Sequence, residues 1–164
     1  MKYEILPITE SHSEGFRDAV DVVARERKYL AFVEGFPLEK ARAFVLDNIQ
    51  NGYPQFVAVS DEKVIGWCDI SPLSRPLFKH SGSLGIGVIA EYRGQGVGES
   101  LIRAALEKAK EIGLIRVELT VREHNMPAQS LYKKLGFVIE GIKRKGVRLD
   151  GKYEDVIMMA VLFE

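Results

Sequence analysis

Chemistry enters this sequence first at Arg93-Gly94-Gln95-Gly96-Val97-Gly98-Glu99, where three glycines alternate with longer residues. Glycine leaves backbone N–H groups bare, and a helix-patterned stretch follows directly. A helix start aims such donors, and the positive end of its dipole, at an anion. The pattern reads as a seat for a diphosphate. Two rival phosphate motifs fail on spacing. A P-loop needs Gly-Lys-Ser/Thr, whereas Gly98 precedes Glu99 and Ser100. A dinucleotide fingerprint needs Gly-x-Gly-x-x-Gly, yet the sixth residue from Gly94 is Glu99 and that from Gly96 is Leu101.

Other residues of chemical interest surround that stretch. Leu84 to Ile89 reads as a buried strand, and Gly85 and Gly87 interrupt it. Glycine weakens a strand unless something must approach its backbone closely. An extended ligand arm lying along Ile86, Gly87 and Val88 would meet that need, pairing with the main chain like an added strand. Tyr132 belongs to a periodic apolar set, Ala128, Leu131, Tyr132 and Leu135, which Asn125 is placed to cap. Four groups could act as a base: Glu118, Asp69, His80 and His124. Glu118 alternates with Val117 and Leu119, so it projects from one face of a strand, a position that also suits a solvated side chain. His12, His80 and His124 lie far apart and show no zinc-type spacing. Cys68, beside Trp67 in a strand, reads as a small buried apolar residue and not a nucleophile.

Periodicity supplies the elements that position these groups. Tyr3 to Ile8 reads as an edge strand, and residues 14–28 as a helix capped by Ser13 with Phe16, Val20, Val23 and Ala24 on one face. Pro37 starts a second helix, with Leu38, Ala41, Phe44, Val45 and Ile49 as its stripe and Gly52 past its end. Tyr29 to Phe36 between them is an aromatic loop, suited to a pocket wall or to a packed connection. Phe56 to Ser60 and Val64 to Ile70 form a hairpin around Asp61-Glu62-Lys63, and Ser71 to Gly82 is a loop. The clearest helix follows Gly98: Val97, Leu101, Ala105, Ala109 and Ile112 keep one face, Ile102 and Leu106 widen it, and Gly113 ends it. Val117 to Val121 is a strand, a short helix runs to Gly136, and Asp150-Gly151 joins two final strands. The order β-α-α-β-β-β-α-β-α-β-β implies an α+β fold. Its sheet should be central, mostly antiparallel and six- to seven-stranded, with helices on both faces.

Arg93 to Gly98 matches the pattern Arg/Gln-x-x-Gly-x-Gly/Ala and resembles the GNAT superfamily of acyl-CoA-dependent N-acyltransferases. The likeness extends to Asn125 with Leu131-Tyr132-Lys133-Lys134-Leu135-Gly136-Phe137, and to Glu140-Gly141 with Asp150-Gly151, Tyr153, Asp155 and Met158. These last residues resemble the small-molecule, amino-acid and ribosomal-protein acetylating branches. The resemblance covers residues 54 to 162 well and the first 50 in pattern only. It implies the GNAT fold, with Leu84–Ile89 splaying from Val117–Val121 at a bulge. It assigns the coenzyme's pyrophosphate to the N–H groups of Gly94 to Glu99, and further contacts to Ile86, Gly87, Val88, Arg93 and Asn125. A strand amide near Val88 would polarise the thioester carbonyl, an effect worth about 3 to 4 kcal/mol. Tyr132 would be the acid meeting the departing thiolate, although it also reads as an aromatic on a buried stripe. An amine attacks only when neutral, so a base is needed. The family offers no safe assignment there, and Glu118 is the candidate carried forward with Tyr132.

Composition bounds the reading. The 164 residues suit one domain, 1–164, and Lys+Arg equals Asp+Glu at 23 each, so no net field attracts nucleic acid or anionic lipid. One cysteine excludes an internal disulfide and fits a reducing cytoplasm. No leader opens the chain and no apolar run approaches 18 residues. The expectation is a cytoplasmic N-acetyltransferase carrying acetyl from acetyl-CoA to a primary amine of a small molecule by direct attack in a ternary complex. Residues 29–36 and 71–80 would form the amine's pocket. A protein N-terminal acetyltransferase of ribosomal-protein type and a non-catalytic acyl-CoA-binding module are the alternatives. A homodimer is common among the proteins it resembles.

Overall fold

The computed structural model describes residues 1–164. Its elements are β1 (Glu4–Pro7), α1 (Ser13–Arg25), α2 (Leu38–Asn51), β2 (Gln55–Ser60), β3 (Lys63–Pro72), β4 (Ser81–Val88), α3 (Val97–Glu111), β5 (Arg116–Arg122), α4 (Met126–Lys134), β6 (Val138–Leu149) and β7 (Lys152–Leu162). Their order is the one the periodicity implies. All seven strands join one sheet, β1-β2-β3-β4-β5-β7-β6, in which only β4 and β5 run parallel. The two-residue turns at Asp61-Glu62 and Asp150-Gly151 all have positive φ, the twist that a tight hairpin requires.

The important feature of the sheet is where it opens. β4 and β5 pair only at Ser81↔Arg116, Gly82↔Val117 and Ser83↔Glu118. Beyond Ser83 they part, while β4 stays paired with β3 as far as Val88. No register shift marks the parting; the irregularities lie at Ala58/Val59 and along β6. The bulge expected at the splay is therefore replaced by a simple end of pairing. Ile89 N–H donates to the Ile65 carbonyl at 2.9 Å. Alternation along β4 then turns the N–H and C=O of Ile86 and Val88 away from β3, into the gap.

Two apolar clusters flank the sheet. One packs Val97, Leu101, Ile102, Ala105 and Ala109 of α3 onto β3, β5 and β7 and takes in Tyr132 and Phe137. The other packs Phe16, Val20 and Val23 of α1 and Val45 of α2 onto Val57 and Trp67. Full burial of each large aliphatic side chain stabilises by about 1.5–3 kcal/mol, and these faces hold the helices over the strands. Alternation on β3 sends Cys68 to the first cluster and Trp67 to the second, so Asp69 shares the α1/α2 face with Trp67.

Several local expectations give way to tertiary context. A 3₁₀ turn at Glu10–His12 precedes α1, so Ser13 is its first residue, buried and with its hydroxyl unpartnered. On α2 the buried polar position is Asn48, bonded to Gln55 at 2.8 Å, while Ile49 is exposed. Ile112 likewise faces solvent, because it lies past the last turn of α3. Gly98 sits inside α3 and not in the turn before it. The loop at 71–82 shrinks, since β3 runs to Pro72 and β4 begins at Ser81. No helix is long and apolar enough to cross a membrane.

Candidate active site

Between β4 and α3 the chain makes a donor array. Gly94 and Gly96 adopt φ of 75° and 85°, the left-handed region that favours glycine, and Gly96 is the N-cap of α3. The first bonds after this turn are Ser100 N–H to the Gly96 carbonyl and those that follow along the helix. The N–H groups of Gly94, Gln95, Gly96, Val97, Gly98 and Glu99 find no backbone acceptor. A side chain placed at Gly94 would meet nothing within 4 Å, so the array opens outward. It forms one end of a groove of about 630 Å³ whose other walls are the free edge of β4 (Ile86, Gly87, Val88) and α4 with its cap (Asn125, Leu131, Tyr132).

Side chains around the array serve chiefly to set its frame. Arg93 Nε donates to the Val88 carbonyl at 2.8 Å, and its other nitrogens grip both Glu26 oxygens at 2.9 and 2.5 Å. Tyr29 stacks beneath the guanidinium, 4.7 Å from it to ring centroid. Arg93 is therefore a strap tying the end of α1 to β4, with three of its five N–H donors engaged. Gln95 turns its amide to the Glu91 carbonyl and lies outside the groove wall. Glu99 bridges Lys134 at 2.7 Å and Arg103 at 3.0 Å, and these cations hold its carboxyl below the ordinary range. A carboxylate so neutralised leaves the positive helix start intact for another anion.

Gly85 and Gly87 have an explanation different from ligand approach. A Cβ at Gly87 would collide with the Trp67 indole across the β3–β4 pair, and one at Gly85 would lie 3.3 Å from Asp69 Oδ1. What comes close to this backbone is the neighbouring strand's side chains.

Asn125 Oδ1 accepts from Ala128 N–H at 3.3 Å and so caps α4 as expected. Tyr132, about two turns further, is buried against Phe137, their ring centroids 5.8 Å apart. Burial, with Cys68 nearby, pushes its phenol well above the ordinary tyrosine value, and the hydroxyl stays protonated. Burial likewise raises the Cys68 thiol, which makes it inert.

A second cavity of about 510 Å³ lies on the α1/α2 face of the sheet. Tyr29, Ile86, Asn125 and Tyr132 wall both spaces, so the two meet at the splay. Its walls are mainly apolar and include Phe16 and Phe44 from the helices, Phe32 and Phe36 from the 29–36 loop and Trp67 from β3. The loop thus lines this cavity, whereas residues 71–80 contribute nothing to either space. The loop is moored by Arg122, a buried residue that the sequence reading passed over. Its guanidinium donates to the carbonyls of Arg27 and Leu30 at 3.0 and 2.7 Å. Arg122 keeps the polar register of Arg116, Glu118 and Thr120, so nothing along the strand marks it as buried.

Of the four base candidates, one faces this cavity. Glu118 stands where β4 and β5 are still paired, bound to Arg116 at 3.0 Å in a cluster with Glu140, and walls neither space. Glu118, the candidate carried forward from the sequence, instead spends its carboxylate on an ion pair. His80 is exposed, and His124 leans 3.5 Å from Glu154; both are outside the walls. Asp69 opens into the cavity, and enclosure by protein with no cation to offset it pushes its carboxyl up to about 7.

A mixed sheet splayed at a parallel pair, with a bare helix start beside the gap, defines the acyl-transferring class that the motifs resemble. The profile of the Acetyltransferase (GNAT) family matches residues 20–137, and the chain belongs to that family. It is accordingly an N-acetyltransferase, which sets aside a binding module without transfer. An L-amino acid N-acetyltransferase, AaaT, of Escherichia coli is 37% identical over 110 residues, covering 66% of this chain and 68% of that protein. The N-alpha-acetyltransferase RimI of Mycobacterium tuberculosis is 36% identical over 95 residues, 57% of this chain and 58% of its own length. A GNAT-family acetyltransferase from Streptococcus pneumoniae superposes with a TM-score of 0.93 at 27% identity, covering 99% of this chain and 100% of that one.

Proposed function

We propose that this enzyme moves the acetyl group of acetyl-CoA to the primary amine of a small molecule, by direct attack within a ternary complex. The observation that carries the reading is the run of unpaired N–H groups at the start of α3, where Gly94 and Gly96 to Glu99 line a groove that joins an apolar cavity at the β4–β5 gap. A diphosphate satisfies those donors and the helix dipole together. The pantetheine arm fits the free edge of β4, where Ile86 and Val88 offer main-chain groups. Arg93 occupies the Val88 carbonyl, which leaves the Val88 N–H to polarise the thioester oxygen.

Tyr132, shared by both spaces, stands beside the place where sulfur leaves. A thiol ionises near 8.5, below any phenol, so complete proton transfer from a buried tyrosine to the thiolate is uphill. A phenol kept neutral by burial instead donates a hydrogen bond that stabilises the developing thiolate. The cavity's apolar, aromatic-bearing walls and its volume of about 510 Å³ suit a small acceptor. The likeness to RimI supports the second reading, an N-terminal acetyltransferase.

The test is thiol release from acetyl-CoA across a panel of small amines and amino-terminal peptides, with calorimetry of acetyl-CoA binding. Saturable binding and turnover with small amines are expected. Absence of acetyl-CoA binding overturns the reading, and turnover confined to peptides transfers it to the second.

A further inference from the structure

Resting on that proposal, the structure says which group activates the acceptor. Asp69 projects from β3 on the same face as Trp67 and enters the aromatic-walled cavity. Its strand partner is Gly85, whose missing side chain leaves its carboxylate uncovered on the β4 side. It is in none of the protein's twelve close ion pairs. The other charged or titratable groups walling the cavity are Lys40 of α2, Tyr29 of the aromatic loop and Tyr132 of α4, with Cys68 next in sequence. No cation among them lowers its proton affinity. A lone carboxylate in an apolar cavity needs a cationic partner, and an alkylammonium supplies one.

We propose that Asp69 binds the acceptor's ammonium group and takes its proton, so that it is the catalytic base, and that the acceptor is a primary amine bearing an apolar, preferably aromatic, substituent. The ammonium passes one proton to the Asp69 carboxylate. The freed lone pair forms the N–C bond with the thioester carbonyl carbon, and the C–S bond breaks with its electron pair on sulfur. The second nitrogen proton ends on sulfur as the free thiol, and Asp69 returns its proton to solvent. A base that ionises near neutrality works best at neutral pH, which the value of about 7 for this carboxyl meets.

The experiment compares wild type with Asp69→Asn and Asp69→Glu, using 2-phenylethylamine and ethanolamine as acceptors and saturating acetyl-CoA. Three results are expected. The wild-type kcat/KM for 2-phenylethylamine exceeds that for ethanolamine at least tenfold and falls as pH drops below about 7. Asp69→Asn loses on the order of 10²–10⁴ in kcat and its remaining rate lacks that acid limb. Asp69→Glu recovers part of the rate. Acetyl-CoA affinity by calorimetry stays unchanged in both variants. Should Asp69→Asn keep the rate or the limb while acetyl-CoA binds normally, Asp69 is not the base, and the coenzyme reading stands. A preference for ethanolamine would overturn the acceptor class. Wild type that binds no acetyl-CoA fails at the earlier step and takes the base assignment with it.

Discussion

Replacing Asp69 by asparagine should make the folded protein more stable, and the gain should appear only as pH rises. An unfolded chain releases this proton near 3.8, whereas the folded protein holds it to about 7. Below pH 3.8 both states carry a neutral carboxyl, and burial costs little. Between 3.8 and 7 the unfolded state loses the proton and the folded state does not, so wild-type stability falls with rising pH. Above 7 the full cost of enclosing the carboxylate is present. Some three units at 1.36 kcal/mol each give at most about 4 kcal/mol. Exposure to the cavity brings the expected gain for Asp69→Asn nearer about 2–3 kcal/mol at pH 8. For a chain of this size each kcal/mol shifts the melting point by about 2–4 °C. Urea unfolding of both proteins at pH 4.5, 6, 7 and 8 measures the difference. It should be smallest at the lowest pH, about a quarter of its full size, and grow through the middle of the range. A difference independent of pH, or a destabilised variant at pH 8, would refute the reasoning.

Tyr132→Phe should lower kcat by about 100- to 1000-fold, as loss of one hydrogen bond to developing charge does, while calorimetry shows unaltered acetyl-CoA affinity. Gly87→Ala drives a methyl group into the Trp67 ring, and chemical denaturation should report a loss of about 1–3 kcal/mol. Glu118→Gln breaks an ion pair with Arg116 that lies outside both cavities, so steady-state kcat should stay within about twofold of wild type. A large loss in that variant would return Glu118 to the mechanism.

Much of the molecule is local, and so was readable along the chain. Positive-φ turns at Asp150-Gly151, the glycines before α3 and the Asn125 cap act within a few residues of themselves. Their chemistry does not depend on what lies across the sheet. Periodic apolar faces set the order of strands and helices for the same reason: the side chains to be buried recur at the repeat of the element that buries them.

Where those elements meet was decided by the tertiary structure alone. Asp69 and Glu118 are equivalent in the chain, each an acid in a β-rich run. One ends in an aromatic cavity without a counter-ion, the other beside Arg116, because their strands lie on different sides of the splay. Gly87 reads as room for a ligand until Trp67 is seen across the strand pair, and the tie from Arg93 to Glu26 and Val88 cannot be read along the chain. Charge, desolvation and steric room are set by neighbours distant in sequence. The sequence by itself therefore determined which elements form and where an anion can be held. The folded structure decided which carboxylate is left alone to meet an amine.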